Sequence, residues 1–512
     1  MMRWKTTFQL TICALALGCG DDDSPAGDDT AEQASTEGTE GEGGDASGTE
    51  GPEHDDRPPV LESFTVDGST TPPLLTEPAF VKLSVVAVDD IGLDYLEFLV
   101  DDAVLAKLEA PSGETSFSHR WLVSGAEFDG THRLAVRAVD LAGNVAESSA
   151  IELLVDQPRP GLRSWVVTKD HGSGDVAHAC ALIQPGRLLV GGTALRKASK
   201  VPDASVQGFF TSNGSPTEDV LPKIGEARLR AIARLPDHDT ELVLAGTKAQ
   251  GYWLASQSLD GTVHWLNHPQ LGAGLHVFGG LAVGLDRLHV GVTVGSKGRV
   301  VTYDATGTEV GQREFGDTVI RDIAILDPGG DLIVVGEREG DIFLARSSTT
   351  GESRWTAVVD GGHGHDEALA VSVGPDGRFA VVGSISGDGT GLDTWLRVYD
   401  GDGVEQWTAE PYDRTGGPDI LHGVAVDPLG RVVVTGRVTT NPKLAPVLRG
   451  DIHVASYEAD GTPRWMARPA HGPSVHQDVG HDVCIDEVGN VYVVGAIGNE
   501  QDHDWWIARH AP

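Results

Sequence analysis

After Pro160 one short motif keeps returning, and this recurrence constrains the fold more than any other feature of the chain. An apolar strand ending in a small residue appears as Arg187–Gly192, Glu241–Gly246, Arg287–Val292, Asp331–Gly336, Arg378–Gly383, Arg431–Gly436 and Asn490–Gly495. Successive copies begin 54, 46, 44, 47, 53 and 59 residues apart, with the variation falling in loops. Another apolar strand precedes each copy, clearest at Val424–Val426 and Val483–Ile485. A third follows, as in Asp393–Tyr399, Asp451–Tyr457 and Asp504–His510, and a fourth comes after a glycine turn and carries Trp407 or Trp465. Four strands repeated at this period predict an all-β fold, a seven-bladed β-propeller, because such a sheet buries its faces only against copies of itself.

The chain ends three strands into the seventh copy. Its missing strand is expected at the front, because Trp165, His171 and Gly172 repeat the spacing of Trp465, His471 and Gly472. Residues 163–172 are therefore expected to complete the last blade of a propeller spanning 163–512, which removes the edges an open sheet would expose. The 66 Gly and 27 Pro residues fit many turns and few long helices.

Ahead of the repeats the chain reads as three further segments. Residues 1–18 carry Arg3 and Lys5 and then an apolar run from Phe8 to Leu17, too short to cross a bilayer. Residues 19–58 form an expected disordered tether. Its stretch 20–56 contains fourteen Asp and Glu, no Lys or Arg and no large apolar side chain, so nothing offsets its ordering entropy. Residues 59–157 alternate apolar and polar positions in about seven short runs, such as Phe80–Val88, Tyr95–Val100 and His132–Val139, a pattern that predicts a small β-sandwich. The net charge is −38, with 38 Lys and Arg against 76 Asp and Glu, and −26 of it lies on residues 57–512. Nucleic acid is therefore excluded as a partner, since phosphate binding needs clustered cations.

Three resemblances attach to these segments. Ala16-Leu17-Gly18-Cys19 resembles the lipobox of bacterial lipoproteins, although it has Ala16 where that family prefers Leu. The resemblance implies lipidation of Cys19 after removal of residues 1–18, and Gly20 in place of an Asp implies delivery to the outer membrane, with the lipid as the membrane attachment. Asp140-Leu-Ala-Gly143-Asn144 resembles the hairpin near the end of bacterial Ig-like domains, which implies a spacer or stalk. The repeats resemble bacterial β-propeller repeats of secreted and surface proteins, strongly in the last three copies and weakly in copy three, which lacks the Trp. That resemblance implies a fold and little about activity.

The candidate chemistry lies just before the first strand of each repeat. Asp175 and His178, Asp419 and His422, and Asp478 and His481 share one spacing, and Asp366 keeps the acid in copy five. Arranged around a central channel, these carboxylates and imidazoles could hold a divalent metal. The competing expectation is that each Asp accepts backbone N–H bonds where the loop enters the strand. The third-strand column Asp341, Asp393, Asp451 and Asp504 reads as turn capping, as do Asp89, Asp90 and Asp140, whose alternative is a calcium site. Asp237-His238-Asp239 and Asp502-His503-Asp504 read as loop residues, whereas His363 and His365 stand beside the channel-facing column. Cys180 and Cys484 fall on the first strands of copies one and seven, neighbours once the ring closes. An oxidising compartment permits a disulfide there, but the reach between adjacent strands makes two free thiols the expectation.

Enzyme signatures are absent: no His-Glu-x-x-His helix, no phosphate-binding Gly-Lys-Ser/Thr loop and no Gly-x-Ser-x-Gly elbow. Ser258-Leu-Asp260-Gly261 approaches a sialidase Asp-box, but its Gly falls one residue early. The expected function is a non-enzymatic, monomeric outer-membrane lipoprotein whose propeller face binds a protein or glycan, with no cofactor. The rival is a propeller hydrolase or lyase using an Asp/His site at the channel mouth.

Overall fold

The computed structural model describes residues 56–512 except 126–127, 173, 184–185, 196–200, 221–223, 237–239, 250, 270–275, 285, 327–329, 349, 388–390, 411–416, 440–449, 469–476 and 499–501. Cys19, the leader, most of the acidic tether and His238 lie outside the described residues. The described chain is all β-structure joined by turns.

Alternation of apolar and polar residues builds a two-sheet unit first. Val60–Val66, Ala79–Val88 and Ser116–Val123 form one sheet, and Leu93–Val100 and Gly130–Asp140 are central in a five-stranded second sheet. Every second residue of Ala79–Val88 turns inward, and Leu83, Phe98, Trp121 and Val136 meet in a core shared by both sheets. Asp140 accepts from the backbone of Ala142 and Asn144 at 2.9 and 2.7 Å, and Asp89 from Ile91 and Gly92 at 3.0 and 2.8 Å. These carboxylates cap turns, and Asp90 pairs with Arg57 at 3.2 Å.

Seven four-stranded antiparallel sheets follow among the described residues. Their first strands are Val176–Ile183, Ala227–Arg234, His276–Val283, Val319–Ile325, Glu367–Val373, Ile420–Val426 and Val479–Ile485. Each first strand packs beside the next, and the seventh returns to the first, so the seven surround an axis. The second strands read as continuous apolar runs because neighbouring sheets cover both of their faces: Val491–Gly498 is buried along its whole length. The seventh sheet takes Arg163–Lys169 as its fourth strand, paired with His503–His510.

Cys180 and Cys484 are bonded across the junction of sheets one and seven, with Cα atoms 6.1 Å apart. This corrects the expectation of two free thiols: the inner strands approach closely enough at the axis to lie within disulfide reach.

Every first strand carries a bulge near its start, at residues 178, 230, 279, 321, 369, 422 and 481. An extra residue there bends the strand toward its partner, which accounts for the small residue ending the repeated motif. A Cβ on Gly246, Gly336 or Gly383 would lie 1.9 Å from a first-strand carbonyl oxygen, and one on Gly436 or Gly495 would lie 2.0 Å away.

The two-sheet unit docks on the turns that end the first strands of sheets six and seven. Arg431, 3 % exposed, bonds Asp427 in its own turn at 2.5 Å. It also donates to the carbonyl and hydroxyl oxygens of Ser124, both at 3.2 Å. Arg509 reaches Glu77 at 2.9 Å. Gly383→Ala should therefore destabilise the fold by about 1–3 kcal/mol, the usual cost of overpacking, read as a lower urea midpoint. An unchanged midpoint would mean that the bulge does not set the strand spacing.

Candidate functional site at the axial opening

The bulge pushes one residue per sheet out of the ladder toward the axis. In order these residues are His178, Arg230, Gly279, Arg321, Leu369, His422 and His481. Sheets six, seven, one and two are consecutive around the ring, and their bulged side chains meet. The ring centroids of His422 and His481 are 5.6 Å apart and those of His481 and His178 5.3 Å apart. The Arg230 guanidinium approaches both nitrogens of His178, at 3.2 and 3.3 Å. Across the axis, Arg321 pairs with Glu367 at 2.8 Å.

The acids of the same sequence motif go elsewhere. Asp175, Asp366, Asp419 and Asp478 are all fully buried. Asp175 accepts from the backbone N–H groups of Leu195 (2.9 Å) and His171 (2.5 Å), and Asp366 from those of Ser386 (2.7 Å) and Gly361 (2.6 Å). Asp419 accepts from Thr439 (2.6 Å) and Asp478 from Gly498 (2.9 Å). Each of their own N–H groups donates to a third-strand residue, or the residue at its edge, in the preceding sheet: His503, Gly340, Leu392 and Gly450 in turn. The motif is thus divided. Its Asp clamps the entry loop between two sheets, and its His alone faces the axis. A shared Asp/His metal centre at Asp175, His178, Asp366, Asp419, His422, Asp478 and His481 is not what this geometry assembles.

Electrostatics set the character of the opening. Burial, helped by Arg230, His481 and Arg228, holds His178 well below the ordinary imidazole range. Burial, with His422, Arg230, Arg437 and His503, takes His481 down to about 3, and burial with Arg437 takes His422 to about 4. At neutral pH the three imidazoles are uncharged donors and acceptors beside a guanidinium. The fixed positive charge favours an anion there and opposes a cation. One step further along the strands stand two acids that sequence reading missed, Asp322 and Asp482. Each receives a backbone N–H from the next sheet, Val371 to Asp322 and Cys180 to Asp482, both at 2.9 Å. Burial pushes Asp322 up to about 7 and Asp482 to about 6, against those hydrogen bonds.

Arg230 and Arg321 were also missed, because their sheets carry Ala227 and Thr318 where the motif has Asp. Aligning the bulge position instead of the Asp would have found them. Of the remaining candidates, His365 lies 3.6 Å from Glu337 at the surface, and the backbone of His503 receives the Asp175 N–H at 2.8 Å.

The chain matches no protein-family model and no curated protein. Among solved structures it is similar to the Dos1 propeller, at 8 % identity over 68 % of this chain and 94 % of that one, with a TM-score of 0.42. It is also similar to Sqt1 from Chaetomium thermophilum, at 13 % identity over 65 % and 83 % with a TM-score of 0.42. A protein of unknown function from Bacteroides caccae matches at 12 % identity over 56 % and 94 %, with a TM-score of 0.38. The closed ring of four-stranded sheets is itself a β-propeller arrangement.

The depressed imidazoles predict an acid-sensitive fold. Unfolded imidazole titrates near about 6.5, so the unfolded chain binds protons that folded His422 and His481 refuse. Stability conferred by neutral His is complete above about pH 6.5 and falls as pH drops toward 4. Asp322 and Asp482 act oppositely: their protonated folded forms stabilise in acid, and that contribution is lost as pH rises toward 6 to 7. A His422→Gln, His481→Gln protein should lose less stability between pH 7 and 4 than the parent, by urea midpoint. An equal acid loss would show that these imidazoles are not held neutral.

Proposed function

We propose that this protein is a lipid-anchored lipoprotein of the bacterial outer membrane whose seven-bladed propeller, carried on an Ig-like domain, is a non-enzymatic binding scaffold. Its axial opening receives an acidic segment of a partner protein. The observation that carries the reading is the division of the Asp/His motif. The carboxylates of that motif are spent on backbone N–H groups, and Arg230, His178, His422 and His481 are left as donors at the opening. A positive opening in an otherwise acidic body selects its ligand by charge.

The docking of the Ig-like domain supports the same reading. That domain covers first-strand ends at Asp427–Arg431 and reaches sheet seven through Arg509, whereas the imidazoles sit at first-strand starts. The Ig-like domain's contacts thus fall at the opposite end of the first strands from the opening.

Titrating the full chain with a Glu-rich peptide at pH 7.5 should give saturable, salt-sensitive binding, weakened at least tenfold in Arg230→Gln. No binding, or binding indifferent to Arg230→Gln, overturns the reading. Binding of polygalacturonate with the peptide silent would move the ligand to an acidic glycan.

A further inference from the structure

Neighbouring sheets of the ring are sealed at their outer edge by a repeated device. A tryptophan on the fourth strand lies flat on a glycine in the following sheet's last turn. Trp165 covers Gly214, Trp265 covers Gly307, Trp355 covers Gly403, Trp407 covers Gly461 and Trp465 covers Gly161. A Cβ on those glycines would meet the indole at 2.7, 2.7, 3.1, 2.8 and 2.7 Å. In four of the five, the indole N–H donates to a turn carbonyl: Thr211 at 2.9 Å, Ala305 at 3.0 Å, Gly401 at 3.1 Å and Ala459 at 3.1 Å.

The junction of sheets three and four departs from this. Strand register places Gly311 opposite Thr302, the position that Trp265 holds opposite Ser256 and Trp465 opposite Ser456. A Cβ on Gly311 would meet nothing within 4 Å, and Gly351, at the turn the ring would cover, has only the Arg313 side chain near it. Arg313 donates to the Gly351 carbonyl, as Asn267 does to that of Gly307 beside Trp265, and its guanidinium lies 4.7 Å from the Phe315 ring. A cleft of about 830 Å³ opens here, lined by Gly311, Gly351, Arg287, Arg313, His289 and Leu332 among others. The junction of sheets one and two also lacks a tryptophan, but fourth-strand side chains 218–220 lie outside the described residues.

We infer that this cleft is a binding site for a planar aromatic ligand bearing an acidic group, whose ring occupies the slot that tryptophan fills elsewhere. The volume is that of a small-molecule site rather than of a packing flaw. Its floor is the turn at Gly351, its wall includes Leu332, Val300 and Ile325, and Arg287 and Arg313 stand where an anionic substituent would emerge. Asp286 lies 3.7 Å from Arg287, which leaves Arg313 as the principal cation. His289, 1 % exposed and bonded to Thr302 at 3.0 Å, is held neutral at about 4 by burial and Arg287. It is therefore a polar contact at neutral pH, not a charged one. The site runs between sheets three and four where their first strands end at Val283 and Ile325, whereas the axial opening lies at first-strand starts.

The test uses 8-anilinonaphthalene-1-sulfonate, a planar aromatic sulfonate, with the full-length folded chain. One saturable site is expected by fluorescence titration. Gly311→Trp, which restores the seal, should weaken it at least tenfold and leave the melting temperature equal or higher. Val310→Trp, at an exposed position on the rim, should weaken it too if Gly311→Trp fails to fold. Arg313→Gln should weaken sulfonate binding more than that of uncharged N-phenyl-1-naphthylamine. No saturable binding, or binding unchanged in whichever tryptophan variant folds, overturns the inference.

Discussion

Ring closure is the constraint on which the rest of this structure depends. Each sheet has two apolar faces and can bury them only against neighbours, so a ring missing one strand would leave part of its seventh sheet unpaired. The strand Arg163–Lys169 removes that edge by pairing with His503–His510, and the Cys180–Cys484 bond ties the inner strands of sheets one and seven. The ends of the ring are thus joined at its inner and outer radii. A link between residues so distant in sequence restricts the unfolded chain strongly. Trp465 on Gly161 extends the closure to the sixth sheet.

Within the closed ring one short motif does two separate jobs. Its Asp, fully buried, ties the loop entering a sheet to the exit of that sheet's second strand and to the sheet before it. Its His, three residues on, falls on the bulge and is turned to the axis. Proximity in sequence gave no proximity of function, because a bulge reorients one residue while leaving its neighbours in the ladder. The acids that do reach the axis, Asp322 and Asp482, each accept an N–H from the adjacent first strand. They hold sheet to sheet, and burial keeps their protons to unusually high pH.

The sheets themselves were legible from the chain. The strand motif, its period, the Asp-Gly turns and the Trp column each report a local requirement, and each maps onto a strand or turn. The missing tryptophan of copy three was legible too, as Gly311. What that absence means was not, since an empty slot exists only once two sheets are side by side. The thiols illustrate the same limit: spacing placed Cys180 and Cys484 on neighbouring strands, but the 6.1 Å approach of their Cα atoms follows from how tightly inner strands converge. Arg230 escaped notice because its sheet has Ala227 where others have Asp.

Sequence alone therefore determined the all-β class, the four-strand repeat and the acidic charge balance, because backbone pairing, turn chemistry and apolar alternation are read over a few residues. Only the tertiary structure decided which repeated residues meet. It brought His178, His422 and His481 together with Arg230, sent the acids of the same motif into backbone bonds, and left a cleft where one indole is lacking. Those outcomes depend on the bulge and on the packing of one sheet against the next, distances that no local pattern encodes.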